Sequence, residues 1–213
     1  MGSPPATPPG PAPAGRAAGG TPRAALAELL AGNRRFVSGQ PIHGHDVTAA
    51  AAASGDQQPY AVLLGCIDSR VPLEAIFDQT FGSICVIRTG GHVLDRAVLG
   101  SIEYVVGELG VPLVVVLGHE RCGAVASAVD ALRGGRSPGG ALAHLVEQIA
   151  PAVTEVGVDD PRAHPLAVRR HVLRTVAALR ADDLLAGPVA AGRLAVVGAL
   201  YDLATGEVAL LEA

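Results

Sequence analysis

The sequence predicts an α/β protein with a mostly parallel central sheet: four parallel strands plus an antiparallel edge strand, flanked by helices and preceded by an N-terminal helical arm. Three observations predict this. Four short, almost wholly apolar runs, 62–64, 84–87, 113–117 and 194–200, suit strands covered on both faces. The segments between them, 93–109, 122–133, 140–153 and 163–181, carry apolar residues at helical spacing. Alternation of this kind implies an open sheet with right-handed crossovers. Third, Asp202-Leu203-Ala204-Thr205-Gly206 reads as a turn that returns the chain as a short strand, 207–212, antiparallel to its predecessor.

The elements follow in order. Residues 1–20 are almost only Pro, Gly, Ala, Ser and Thr. Such a segment buries too little apolar surface to offset the entropy of ordering, so a disordered tail is expected. Residues 21–213 then form one domain. Thr21-Pro22 offers an N-cap followed by Pro at the first helical position, and Ala25, Leu26, Leu29, Leu30 and Phe36 give an amphipathic helix over 21–38. His43 and His45 fall in a Pro/Gly-rich stretch and read as surface loop. The first, second and third strands end in Gly65-Cys66, in Arg88-Thr89-Gly90-Gly91 and in Gly118-His119.

Composition excludes several classes of function. A net charge of −4 gives no basic footprint for nucleic acid. The arginines at 162, 169, 170, 174 and 180 recur at helical spacing and read as a solvated helix face. No apolar stretch has the length of a transmembrane helix, and the N-terminus lacks the pattern of a signal peptide, so the cytoplasm is the expected location. The three cysteines suggest no disulfide framework and include no Cys-x-x-Cys pair. Cys85, in mid-strand, reads as a small buried apolar residue.

In open parallel sheets, sites form outside the carboxyl ends of the strands. There this chain carries Gly65-Cys66-Ile67-Asp68-Ser69-Arg70 and Gly118-His119-Glu120-Arg121-Cys122-Gly123, on one edge of the sheet. His119 and Cys122, three apart at a strand-to-helix turn, can converge on one point, and Cys66 arrives from another strand end. Two thiolates and an imidazole suit Zn²⁺, and three protein ligands leave the fourth, catalytic position open. Asp68 and Arg70 can form a bidentate pair beside it. By spacing alone, an activating dyad and an ordinary loop ion pair are equal readings.

Together these motifs resemble the β-class carbonic anhydrases. Pro72-Leu73-Glu74-Ala75-Ile76-Phe77-Asp78, Val86-Ile87-Arg88-Thr89-Gly90-Gly91, Ser101-Ile102-Glu103-Tyr104 and the ending 192–202 match as well, so the resemblance spans about residues 25–212. It implies reversible hydration of CO₂ to bicarbonate and a proton by zinc-bound hydroxide. Cys66, His119 and Cys122 are then the zinc ligands, Asp68 and Arg70 the catalytic dyad, and the Gly123 amide a group that orients substrate. It also implies a homodimer or tetramer with sites at the interface, and an N-terminal helix, here 21–38, that reaches across to the neighbouring subunit.

The chain departs from the family pattern in places. Thr89-Gly90-Gly91-His92 stands where Asn-Ala-Gly-Asn is common; His92 reads either as a proton shuttle near the site mouth or, by preference, as a loop residue without a catalytic role. Arg88 and Tyr104 match a secondary bicarbonate pocket of some members, but Leu63 replaces its Trp. Two thiolates cancel the charge of Zn²⁺, so such a site acidifies water less than three imidazoles would, and a nearby carboxylate gains importance. The same geometry allows an off state: with its Arg70 pair broken, Asp68 can become the fourth zinc ligand, an event that low pH favours. Rival readings keep the zinc but hydrolyse CS₂ or COS, or make the chain a non-catalytic zinc- or bicarbonate-binding module. A nucleotide site on Thr89-Gly90-Gly91 lacks the full phosphate-cradling pattern.

Overall fold

A computed structural model of the chain describes residues 20–134 and 138–212. The expected tail, 1–20, lies outside the described residues except for Gly20.

Helix α1, Pro22–Val37, starts where the sequence places its cap: Thr21 is extended and its hydroxyl accepts the Ala24 amide. A short helix α2, Val47–Ala52, is capped in the same way by Asp46. Strand β1, Ala61–Cys66, leads to the one-turn helix α3, Leu73–Ile76, and then to β2, Ile84–Thr89. A 3₁₀ turn, Gly90–His92, precedes α4, Arg96–Gly107. There follow β3, Leu113–His119, α5, Gly123–Gly134, α6, Leu142–Val156, and α7, Ala163–Arg180. A five-residue helix α8, Ala186–Ala190, leads to β4, Ala195–Tyr201, and β5, Val208–Leu211.

The strands lie in the order β2-β1-β3-β4-β5. The first four are mutually parallel and β5 runs antiparallel to β4, as expected. Every residue of β1 and β3 is buried. Val62, Leu64, Val114 and Val116 pack with Ile102 of α4 and Val172, Val176 and Leu179 of α7 on one face. Leu63, Leu113, Val115 and Leu117 pack with Ala25 and Leu29 of α1 and with α3 on the other.

Helix α7 sits unusually close to the sheet. A side chain at Gly118 of β3 would meet a Val172 methyl at 2.6 Å, and one at Gly198 of β4 would meet the other at 2.8 Å. Glycine at both positions lets the helix settle directly onto the strands. The arginines of this helix do more than face solvent. Arg170 and Arg174 both pair with Glu155 of α6, and Arg180 donates to the Val196 carbonyl at 2.8 Å.

Helix α1 docks on its own chain. Buried Asn33 donates to the carbonyls of Ile76 (3.1 Å) and Gly206 (2.9 Å) and accepts the Val208 amide (3.0 Å). One amide side chain thus ties α1 to α3 and to β5. No described helix is long and apolar enough to cross a membrane.

Replacing Asn33 by Ala leaves these backbone groups without their partner. We expect a loss of about 2–4 kcal/mol: ~1–3 kcal/mol for the fully buried Ile76 carbonyl left unpaired, and less for the part-buried Gly206 and Val208 groups that water can reach. The midpoint of urea unfolding measures it, and a midpoint equal to that of the wild type would show that water replaces the amide without loss.

Candidate metal centre

The buried runs β1 and β3 are neighbours in the sheet, so their carboxyl ends lie side by side. Cys66 is the last residue of β1 and His119 the last of β3. Beyond His119 the chain reverses through Arg121, whose φ of +52° is left-handed, and enters α5 at Gly123. This reversal turns Cys122 back over His119. The ligand atoms of Cys66, His119 and Cys122 lie within 4.8 Å of one another, and all three residues are buried. Among the described residues no other group of three or more His, Cys, Asp and Glu side chains could hold a metal ion. His43 and His45 do not join one: His45 bonds the Gln79 carbonyl at 3.0 Å and packs edge-on against Phe81.

The donor set fits a zinc ion on three counts. The two sulfurs are 4.0 Å apart, near the ~3.8 Å that tetrahedral zinc–thiolate bonds of ~2.3 Å require. His119 Nδ1 donates to the Glu120 carbonyl at 2.8 Å, which leaves the lone pair on Nε2, and Nε2 is buried with no protein partner. The thiols are also unequal. Cys66 is held well below its usual range, chiefly by the neighbouring Cys122 thiol, with help from the amides of Asp68 and Gly91 and against the effect of burial. Cys122 is pushed up by that same neighbour and by burial. The two thiols titrate as a coupled pair, and a cation between the sulfurs would favour the thiolate form of both.

Asp68 stands beside the three residues, with Oδ2 4.0 Å from His119 Nε2. Arg70 grips the carboxylate in the bidentate manner expected: Nε to Oδ1 at 2.9 Å, Nη2 to Oδ2 at 2.7 Å, and its amide to Oδ1 at 2.9 Å. The Arg70 guanidinium holds this carboxyl well below the ordinary carboxylate range, although partial burial opposes it. Gly123 opens α5, where first-turn amides lack acceptors within the helix.

Some site features are not visible in a linear reading. Arg88, read from the sequence only as part of a bicarbonate pocket, donates to the carbonyls of Cys66 (2.9 Å) and Asp68 (2.6 Å) and so clamps the Cys66–Asp68 loop. Leu63 is buried in the core, and Tyr104 is exposed on α4. His92 is not at a site mouth. It is 1% exposed, its φ is +48°, and its ring lies 4.6 Å from that of His171. His164 and His171 of α7 bond backbone carbonyls beside the two cysteines. Their spacing of seven along one helix was the only signal in the sequence.

The sequence model for carbonic anhydrase matches residues 61–208. "Carbonic anhydrase 2" of Mycobacterium tuberculosis is 47% identical over 191 residues, covering 89% of this chain and 92% of that protein. The carbonic anhydrase of Mycolicibacterium smegmatis is 45% identical over 197 residues, with coverage of 89% and 93%. Among solved structures, the Coccomyxa β-carbonic anhydrase in complex with acetazolamide aligns with a TM-score of 0.69 at 25% identity, covering 87% of this chain and 86% of that one. A tetrameric β-carbonic anhydrase of Sordaria macrospora aligns with a TM-score of 0.70 at 23% identity, with coverage of 88% and 97%. With its sheet order, its paired strand-end motifs and these relatives, the chain belongs to the β-class carbonic anhydrase family.

Proposed function

We propose that the chain is a zinc-dependent carbonic anhydrase that interconverts CO₂ and bicarbonate, with Cys66, His119 and Cys122 as ligands and Asp68 and Arg70 as the catalytic dyad. The observation that carries this reading is the convergence of two thiols and an unpartnered imidazole nitrogen beside an ionised carboxylate. Bound there, zinc supplies Lewis acidity that makes water a competent nucleophile near neutral pH. Asp68 accepts the hydrogen bond that orients this nucleophile, and Arg70 keeps the carboxylate ionised and aimed. The Glu120 carbonyl fixes the His119 tautomer. The Gly123 amide is the group that would hold a substrate oxygen.

The chain works in this reading as a homodimer or tetramer. The edge strand β2 pairs only with β1 among the described strands, and Ile67, between Cys66 and Asp68, is 62% exposed. A second subunit covering Ile67 would close the site against water. Thiolate ligands also need a reducing compartment, which supports the cytoplasm.

Stopped-flow CO₂ hydration tests the main claim. Activity should vanish with a chelator and return with Zn²⁺, and Cys66→Ser should lose both zinc and activity. A wild-type protein with one zinc per chain that leaves the uncatalysed rate unchanged would overturn it, and COS or CS₂ turnover by that protein would redirect it.

Asp68→Ala should lower the hydration rate by roughly 10²-fold or more, the usual worth of a positioned acid–base group. Full activity at every pH would remove the dyad. The folded carboxyl lies below its unfolded value of ~3.9, so the Asp68–Arg70 pair is complete above that value and is lost only as pH falls through the depressed one. Its ¹³C carboxyl shift should therefore stay flat from about pH 5 to 9. A closed state favoured at low pH, with Asp68 as the fourth ligand, then arises with Asp68 still ionised, as the competing nucleophile becomes scarce.

Light scattering on the eluting peak of a sizing column should give two or four times the monomer mass. A monomer with full activity would remove the interface role of Ile67.

A further inference from the structure

The metal centre is fastened from behind by α7. His171, 5% exposed, bonds the Gly91 carbonyl through Nε2 at 3.0 Å. The amide of that same Gly91 donates to Cys66 Sγ at 3.4 Å. Two turns earlier on the same face of α7, His164 Nε2 bonds the Cys122 carbonyl at 3.0 Å. Carbonyl oxygens only accept, so both imidazoles donate an Nε2–H. Burial pushes the His171 ring down to about 4, so it stays a neutral donor near neutral pH.

Gly91 and His92 are both left-handed, at φ +63° and +48°, and the second is a side-chain-bearing residue in a region that costs it ~1 kcal/mol or more. The His92 ring packs against the His171 ring and limits its rotation. Helix α7 is itself fixed, because Val172 lies directly on Gly118 and Gly198.

Resting on the zinc reading above, we propose that His171 is a positioning residue for the metal centre: by holding the Gly91 carbonyl it fixes the residue whose own N–H, in the preceding peptide, points at the Cys66 sulfur, while His164 fastens the backbone of Cys122. An N–H aimed at a thiolate fixes its lone pairs and reduces its charge donation to the metal. His171→Leu removes the hold on the Gly91 carbonyl, so rotation about the Gly91 Cα can carry its N–H away from the sulfur.

The test measures metal binding, not turnover. In His171→Leu, zinc affinity against a chromophoric chelator should fall 10–100-fold, the usual effect of losing an outer-shell partner. The thiolate-to-metal charge-transfer band of the Co²⁺-substituted protein should shift with it. His171→Gln, which keeps an N–H donor at similar reach, should recover most of the affinity and the wild-type band. Val172→Ala loosens the same helix without touching a donor and should stay within about threefold of wild type. Wild-type zinc affinity in His171→Leu, an equal loss in Val172→Ala, or failure of His171→Gln to recover would each overturn the proposal. If His171→Leu does not fold, His171→Phe, which keeps a flat ring without an N–H donor, takes its place in the same comparison. A wild-type chain that binds neither ion overturns the zinc reading as well; normal wild-type binding with an unaffected His171→Leu overturns this role only.

Discussion

The pairing of β1 with β3 is the contact on which the site depends. The two strands run parallel in register, Leu64 beside Val116, and adjacent strands lie ~4.8 Å apart. Two residues beyond that pair the chains reach Cys66 and Gly118, and the next residue on β3 is His119. The spacing of the strands thus brings ligands more than fifty residues apart in sequence to within bonding distance of one ion. A one-residue slip would move Cys66 along its strand and turn its side chain to the other face. What prevents the slip is burial on both sides, because each face of β1 and β3 meets a different helical layer.

Around this junction the chain builds a site with opposing demands. Two sulfurs and a bare imidazole nitrogen gather in a buried space, where anionic charge is costly without a counter-charge. The protein answers only in part, with amide donors: those of Asp68 and Gly91 point at Cys66, and those of Ala124 and Val125 at Cys122. Cys122 sits just ahead of α5, where amides are free and the helix dipole favours negative charge. A divalent cation bound there, as proposed, would supply the counter-charge that these donors provide only in part. The guanidinium of Arg70 stays outside this space, pointing at Asp68 from a half-exposed position.

Much of this was legible in the sequence because local rules govern it. The four apolar runs, the Thr21-Pro22 cap and the helical periods fixed element types to within a few residues, and two half-motifs at strand ends pointed to the three residues that converge in the candidate metal centre. Helices α2, α3 and α8 were not anticipated; at four to six residues each they are too short for a period to register. Asn33 was also missed. Its partners lie 43 and more than 170 residues away, and nothing in its neighbourhood distinguishes it from a surface amide. His92 was read as a proton shuttle near the site mouth or, by preference, a loop residue without a catalytic role, yet it is buried against His171, a contact made by the docking of α7. The arginines of α7 were read as a solvated face and are exposed; Arg170 and Arg174 also reach α6 through Glu155, which the sequence did not show.

The structure gives the Cys66–Asp68 loop one fixed end and one that can change partners. Arg88 holds the backbone of Cys66 and Asp68 by their carbonyls, so the main chain there is clamped whatever the side chains do. Only the Asp68 side chain is left with a choice. It lies between a bidentate guanidinium and the three ligand residues, 4.0 Å from His119 Nε2. Because Arg70 is half exposed, its grip is screened by water and salt, unlike contacts inside the core. In the proposed function, exchange of this carboxylate between the exposed guanidinium and a bound cation would therefore need only a side-chain rotation and no backbone rearrangement.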